Sequence, residues 1–310
     1  MERNLPNVTV LLATFNGEKF LDAQLTSLQM QKGVSVRVIA NDDGSSDSTV
    51  EILESWKKRG LIREIYRSNR IGPSRVFYSL ITKTDGASFV ALADQDDVWH
   101  RSKLEILCRI IDKSKPSLAF SERELIDANG KCIGKSRLVR QGVSFGNALI
   151  ENIVPGNTVL LNSQAVNLIK KFPLRDLDHF DAWIYLLITA FGVCKYTTLH
   201  LVSYRLHANN TVGLRKFRPG KFCLALDSWE NRANLLYDHG NSELDKAAEL
   251  YITAFLRLYS NKRSICSFLS ILNFKFQRQK RLDSIAIKWI FLFRLAVGNQ
   301  LWNRLSRYLP

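Results

Sequence analysis

The strongest constraint on this chain is the order of its apolar runs. "NVTVLLATFN" (residues 7–16) is an almost unbroken β-branched and aliphatic run that stops at Asn16-Gly17. A strand that is apolar on both faces belongs in a parallel sheet covered by helices. "FLDAQLTSLQMQ" follows, with Leu21, Leu25 and Leu28 at helical spacing. "VSVRVIANDDGSSDS" predicts a second strand ending in a turn, with Ser46 or Asp47 placed to cap a helix over residues 49–58. "IREIYR" predicts a third strand, and "IGPSRVFYSLITK" a loop and a helix with Pro73 in its first turn. "ASFVALA", "RSKLEILCRIIDK" and "SLAFS" continue as strand, helix and strand. Such alternation implies βαβ units with right-handed crossovers and a mostly parallel sheet flanked by helices.

In such sheets ligands bind beyond the carboxyl ends of the strands. Three polar clusters fall there: Thr14-Phe15-Asn16, Asp42-Asp43-Gly44-Ser45, and Asp94-Gln95-Asp96-Asp97. The topology gathers them although they are far apart in sequence. Three carboxylates within four residues repel one another, and a divalent cation commonly reconciles them. Hard oxygen ligands suit Mg²⁺ or Mn²⁺ shared with substrate phosphates. The plainer alternative for Asp94–Asp97 is a solvated loop, with Asp97 capping the next helix. For Asp42-Asp43 it is an ordinary Asx turn.

The chain carries 44 Lys and Arg against 29 Asp and Glu, a net charge of +15 that favours an anionic partner. Ten basic residues and one acidic residue lie in 262–310, interleaved with Trp289, Phe291, Phe293, Trp302 and Tyr308. Basic residues mixed with aromatics suit a helix in a membrane interface, or a helical appendage packed on its own apolar face. No recognised nucleic-acid motif accompanies the charge, so nucleic acid is not an expected partner. Five scattered cysteines without metal-knuckle spacing imply free thiols in a reducing compartment. No signal pattern precedes Leu5-Pro6, and no window reaches a membrane-spanning apolar length, so a cytoplasmic protein is expected.

"VLLATFNGEKFLDAQLTSL", "VIANDDGSSDST", "NRIGPSRVFYSL" and "ALADQDDVW" occur in this order, followed by "VPGNTVLLNSQAVNLI", "HFDAWIYLLITAFG" and "VSYRLHANNTVG". Together they resemble the family 2 glycosyltransferases, in the bacterial rhamnosyltransferase-like branch, over residues 7–213. The resemblance implies an A-type glycosyltransferase fold. The catalytic domain would span 1–213, with a nucleotide-binding half (1–121) and an acceptor-side half (122–213). A basic helical region (214–310) would follow.

Position by position, the resemblance implies that Thr14, Phe15 and Asn16 line the nucleotide pocket. Asp43 would bind the base, with Asp42 beside it, and Arg75 would sit near the nucleotide or its phosphates. Asp96 would be the main ligand of Mg²⁺ or Mn²⁺, with Asp94 on ribose or metal-bound water and His207 reaching the metal-diphosphate as its loop closes. Asp181 would be the general base. Asp97, Trp99, Asn157 and Trp183 would shape the donor and acceptor pocket. Read without the resemblance, Asp181 is a helix cap, His207 a surface histidine, His179 structural, and Trp183 part core. The branch often has a second aromatic at Ala182 and an Asn-Phe pair at Val76-Phe77, departures that bear on sugar identity.

The implied activity is inverting, metal-dependent transfer of a sugar, with dTDP-rhamnose as favoured donor, to a surface polysaccharide or a lipid-linked precursor. The basic region would meet the cytoplasmic membrane surface. Two other functions compete. A metal-dependent nucleotidyltransferase needs a glycine- and lysine-rich triphosphate loop, which "TFNGEKF" matches poorly. A non-catalytic basic membrane-binding protein leaves the separated aspartates unexplained.

Overall fold

The computed structural model describes residues 5–84, 86–172, 179–207, 219–259 and 265–305. Residues 208–213, expected to close over the site, and Arg307 and Tyr308 lie outside them. The chain forms two compact units. The first comprises Met1–Leu138, Val154–Ile188 and Gly192–Gly213; the second comprises Val139–Ile153, Thr189–Phe191 and Leu214–Pro310. Val139–Ile153 thus groups with the C-terminal unit.

The first unit is built on β1 (Asn7–Thr14), β2 (Ser35–Asp42), β3 (Ile62–Arg67), β4 (Phe89–Ala93), β5 (Val98–Trp99), β6 (Ser117–Ile126), β7 (Cys132–Lys135), β8 (Leu160–Asn162) and β9 (Val193–Arg205). The sheet order is β3-β2-β1-β4-β8-β6-β9-β5, with β7 on β6. Between them run α1 (Glu18–Gln29), α2 (Thr49–Lys58), α3 (Pro73–Ile81), α4 (Lys103–Ile110), α6 (Ser163–Lys171) and α7 (Phe180–Phe191), which ends in the second unit. Helix α5 (Phe145–Ile150) lies wholly in that unit.

Strands β1 to β4 are parallel to one another. Val8, Val10, Leu11 and Leu12 of β1 are fully buried, as a run apolar at successive positions requires. Leu21, Leu25 and Leu28 of α1 are fully buried as well, one stripe per turn. Beyond β4 the sheet becomes mixed: β8 runs antiparallel to both β4 and β6, while β6 and β9 are parallel. The first half alternates strand and helix and is driven into crossovers. Residues 122–160 have no such alternation, and the three-residue β8 is wedged in between β4 and β6 in the opposite direction. Strand β9 is a single long strand with register shifts against β6.

Strand β1 sits between β2 and β4, so the chain winds outward in both directions from it. The crevice between the carboxyl ends of β1 and β4 is the switch point where such sheets bind ligands.

The second unit holds α5, α8 (Pro219–Gly240), α9 (Lys246–Arg257), α10 (Ile265–Asn273) and α11 (Arg281–Leu305). Ile252, Phe255, Phe274, Phe276, Ile287 and Phe291 form buried apolar contacts in it. Gln279 accepts the amides of Arg140 and Gln141, and Arg278 pairs with Glu151 at 3.1 Å. These bonds account for the grouping of 139–153 with this unit. Among the described residues no helix is long and apolar enough to cross a membrane.

Candidate active site

The site starts where β1 stops. Thr14 is buried and donates through Oγ1 to Asp42 Oδ1 at 3.0 Å, joining the ends of β1 and β2. Asp42 also accepts the amide and the hydroxyl of Ser45, which folds the turn after β2 back onto the strand. Asn16 has a φ of 48°, a left-handed geometry that asparagine tolerates better than most residues. Its amide donates to Ser45 Oγ at 2.9 Å and its side chain accepts the Ser46 amide at 2.9 Å.

Asp43 is buried and shapes the next loop. It accepts from Ser68 Oγ (2.7 Å), Ile71 N (2.9 Å) and Gly72 N (2.8 Å). That loop carries Arg70, whose guanidinium lies 5.2 Å over the Phe15 ring. Phe15 is 39% exposed. Its backbone amide donates to Gln95 Oε1 at 2.7 Å, and its carbonyl accepts from Gln95 Nε2 at 2.9 Å. Gln95 therefore clamps the end of β1 to the end of β4 across the switch point. Arg75 is exposed in the first turn of α3.

The acidic cluster divides by burial. Asp94, just past β4, is partly buried, and its pKa is raised to about 7, first by burial and then by the charges of Asp96 and Asp181. Arg123 and Lys103 offset part of this. Asp96 meets His207 Nε2 at 2.8 Å, and its backbone carbonyl accepts from Arg205 Nε at 2.9 Å. Asp97 turns fully inward. It accepts from Asn157 Nδ2 at 2.5 Å and from the Arg205 amide at 3.2 Å. Burial, with Asp94 and Asp96 beside it, holds its carboxyl well above the usual range. Asp97 is not a helix cap: Ser102 precedes α4 and makes no side-chain cap bond.

Lys103 is the surprise of the site. It is fully buried, with its ammonium 3.0 Å from the Trp99 ring centroid and donating to the Asn157 carbonyl at 2.5 Å. Burial pushes its pKa well down, against the pull of Asp97 and Asp94. Trp99 and Trp183 are also enclosed by protein. Trp183 packs edge-on against Phe172 with ring centroids 6.4 Å apart. Both indoles pack within the core beneath the site. Among the described residues the buried Asn157 Oδ1 and the indole N–H groups of Trp99 and Trp183 have no hydrogen-bond partner.

Asp181 sits in the first turn of α7 and accepts the Ala182 amide at 2.8 Å. It does not occupy the cap position, which belongs to His179. A Cβ built on Gly156 would stand 3.6 Å from Asp181 Cβ and 3.7 Å from Leu92 Cδ1, so Asp181 lies against the turn bearing Asn157 and beside β4. On the other side of the cluster, the Phe20 ring lies 4.9 Å from His207 and 4.7 Å from the Arg205 guanidinium.

The structure thus brings Asp94, Asp96, Asp97, Asn157, Asp181 and His207 around the end of β4, and Thr14, Phe15, Asn16, Asp42 and Asp43 along the ends of β1 and β2. Sequence reasoning missed Lys103, Arg205 and Arg70, and missed the clamp role of Gln95. Lys103 and Arg205 look like surface residues in sequence. Their one signal is proximity, in chain order, to the acidic motif and to His207.

Among the described residues no group of three or more His, Cys, Asp or Glu is gathered to hold a metal ion. Asp96 and His207 nevertheless touch, with Asp94 close enough to feel the charge of Asp96. A carboxylate and an imidazole, completed by phosphate oxygens and water, fit the needs of Mn²⁺ or Mg²⁺. The pair could hold the cation only together with its diphosphate.

Comparisons with known proteins identify the fold and the family. The chain is 25% identical over 305 residues to "dTDP-rhamnosyl transferase RfbG" of Shigella flexneri, covering 92% of this chain and 100% of that protein. It is 24% identical to "Putative teichuronic acid biosynthesis glycosyltransferase TuaG" of Bacillus subtilis, covering 70% and 85%. S. aureus TarS in complex with UDP-GlcNAc superposes with a TM-score of 0.61 at 17% identity, covering 85% of this chain and 75% of that one. The mannosyltransferase PcManGT from Pyrobaculum calidifontis, in complex with GDP-Man and Mn²⁺, does so with a TM-score of 0.56 at 14% identity, covering 98% and 85%. These two likenesses establish the A-type glycosyltransferase fold. Residues 9–177 match the family model "Glycosyl transferase family 2", so the chain belongs to glycosyl transferase family 2.

Proposed function

We propose that this glycosyltransferase inverts the anomeric centre of its donor sugar, depends on a divalent cation, and uses dTDP-rhamnose to extend a lipid-linked surface-polysaccharide precursor at the inner face of the cytoplasmic membrane. The observation that carries the reaction class is the position of Asp181, on α7, against the Gly156 turn and Leu92 of β4, close enough for its charge to act on Asp94 at the end of that strand. One carboxylate then belongs to the leaving diphosphate and the other to the attacking hydroxyl.

Asp181, held at a helix N-terminus, accepts the proton of the acceptor hydroxyl as that oxygen attacks the anomeric carbon. Attack opposite the departing diphosphate inverts the centre. Asp96 and His207 would hold the cation, which would neutralise charge developing on the diphosphate. Phe15, with Arg70 above its ring, offers an exposed aromatic surface to a base. Asp43 holds the loop of Arg70 through three donors, and its Oδ2, with one donor, keeps capacity to accept a base N–H. The S. flexneri relative's name supports rhamnose and the dTDP donor.

The test is thermal stability with Mn²⁺ or Mg²⁺ plus dTDP, UDP, GDP or CMP, followed by turnover of dTDP-rhamnose. A ligand that binds only the folded state raises its stability as RT ln(1 + [L]/Kd). A metal-dependent shift largest with dTDP is expected. Asp96→Ala should abolish the metal-dependent part. Asp181→Asn should keep the shift while lowering turnover by a factor on the order of 10²–10⁴. Full turnover by either variant overturns the assignment, and a shift largest with another nucleotide overturns the donor.

A further inference from the structure

Asp96 and His207 reach each other from segments far apart in the chain, and Arg205 binds those segments together. The Leu206 amide donates to the Ile126 carbonyl at 2.8 Å, so the chain stays paired with β6 just past the end of β9. Side chains of an extended chain alternate between faces, which puts Arg205 and His207 on the same one. The Phe20 ring of α1 meets both, 4.7 Å from the guanidinium and 4.9 Å from the imidazole between ring centroids.

Arg205 is itself buried. Its backbone amide donates to Asp97 Oδ1 at 3.2 Å and its Nε to the Asp96 carbonyl at 2.9 Å, so one residue holds two consecutive residues of the acidic loop. Its Nη1 donates to the carbonyls of Asp127 and Ala128 at 3.3 and 3.2 Å. Those carbonyls belong to the turn between β6 and β7, which Asp127 pins by accepting the Asn129 and Lys131 amides through Oδ1, each at 2.9 Å. The guanidinium therefore ties the acidic loop to a turn that is already fixed. A planar fork of N–H groups can serve both at once, whereas an ammonium is a compact point donor. A ligand pair drawn from separate segments costs ordering free energy on binding unless the protein holds it beforehand.

We infer that Arg205 and Phe20 are positioning residues that hold Asp96 and His207 together before the donor arrives, and so set the affinity of the site for a divalent cation with its diphosphate. The inference rests on the cation-dependent reading and deepens it by naming what prepares the site.

The experiment is calorimetric titration of the full chain with dTDP and with UDP, each with Mn²⁺ and with a chelator. The ratio of the two affinities is the gain from the cation, and the wild type should show one with at least one nucleotide. Arg205→Lys keeps the charge and loses the fork, so a change in the gain reports geometry. Phe20→Leu removes the ring at a partly exposed position. Each variant should lower the gain about tenfold or more, the usual scale for groups that orient metal ligands. Affinity with the chelator should stay at the wild-type value. In a His207→Ala background the loss from Phe20→Leu should shrink, because the ring acts on the imidazole. A wild-type gain in Phe20→Leu overturns the inference whatever Arg205→Lys does. So does an equal loss with Mn²⁺ and with chelator, which would mark a general structural defect. A wild type without any gain from Mn²⁺ overturns the cation-dependent reading and the inference together, whereas unchanged variants beside a wild-type gain overturn the inference alone.

Discussion

A lysine with its ammonium on an indole ring, 0% exposed, is costly unless something answers its charge. Asp97, equally buried, answers it from the same cluster, and the Asn157 carbonyl accepts a hydrogen bond from it. Asn157 in turn donates to Asp97, so the three residues form a closed buried set. Lys103→Met should therefore destabilise the protein by about 3 kcal/mol, by leaving Asp97 with less compensation and the Asn157 carbonyl without a donor. Adding Asp97→Asn to that variant should recover part of the loss. Urea unfolding of the four proteins gives a coupling expected to exceed about 1 kcal/mol, and additive effects would show that the two groups do not act together. Asp94 permits a second prediction. Its carboxyl ionises at about 7 when folded against an ordinary 3.8, so between those values the folded chain holds more protons than the unfolded one. The stability it contributes is present below the unfolded value and is lost as pH rises through the folded one. Without divalent cations, the wild type should thus lose stability relative to Asp94→Asn from roughly pH 4 to 7. A difference in urea midpoint that stays flat across that range would contradict the assignment.

At the scale of elements, what sequence reveals depends on how strongly a segment is patterned. Strand β1 and helix α1 were legible because their apolar periods admit one reading each. The burial of Lys103 was not, because burial of a charged side chain next to a polar motif is decided by which elements close over it. The mixed half of the sheet was hidden for a related reason: three residues of β8 carry too little pattern to reveal which strands they separate. Gly17 shows how elements meet at the site. A Cβ there would fall 2.3 Å from Gln95 Oε1, although its φ of −105° suits any residue. The obstacle is the end of a side chain that can move, so Gly17→Ala should cost under about 1 kcal/mol in urea unfolding. The Gln95 clamp on Phe15 would be displaced, and dTDP should bind about tenfold more weakly, a loss of about 1.4 kcal/mol. Unchanged dTDP affinity would mean that the clamp lies outside the nucleotide pocket.

At the scale of the molecule, the arrangement separates chemistry from charge. Residues 14–17, 42–45, 94–97 and 181 all belong to the first unit, whereas α9, α10, α11 and most of the basic excess belong to the second. The resemblance that spanned residues 7–213 could point to the first set because its motifs lie at strand ends. Its quoted motifs skip 139–153, a segment of the second unit joined by hydrogen bonds to residues 277–279 of the same unit. A ligand at the switch point must join segments that are distant in sequence and adjacent in space, so its free energy is spread over their opening equilibria. Hydrogen exchange with dTDP and Mn²⁺ should therefore slow at the ends of β1, β2 and β4 and in the first turn of α7. Amides of α9 and α11 should exchange at the ligand-free rate. Each protected segment lies more than twenty residues from the next, so simultaneous slowing cannot arise from one local helix or turn. Protection confined to α9–α11 would place the anion on the basic unit, and the aspartates at the sheet edge would then be an ordinary polar rim.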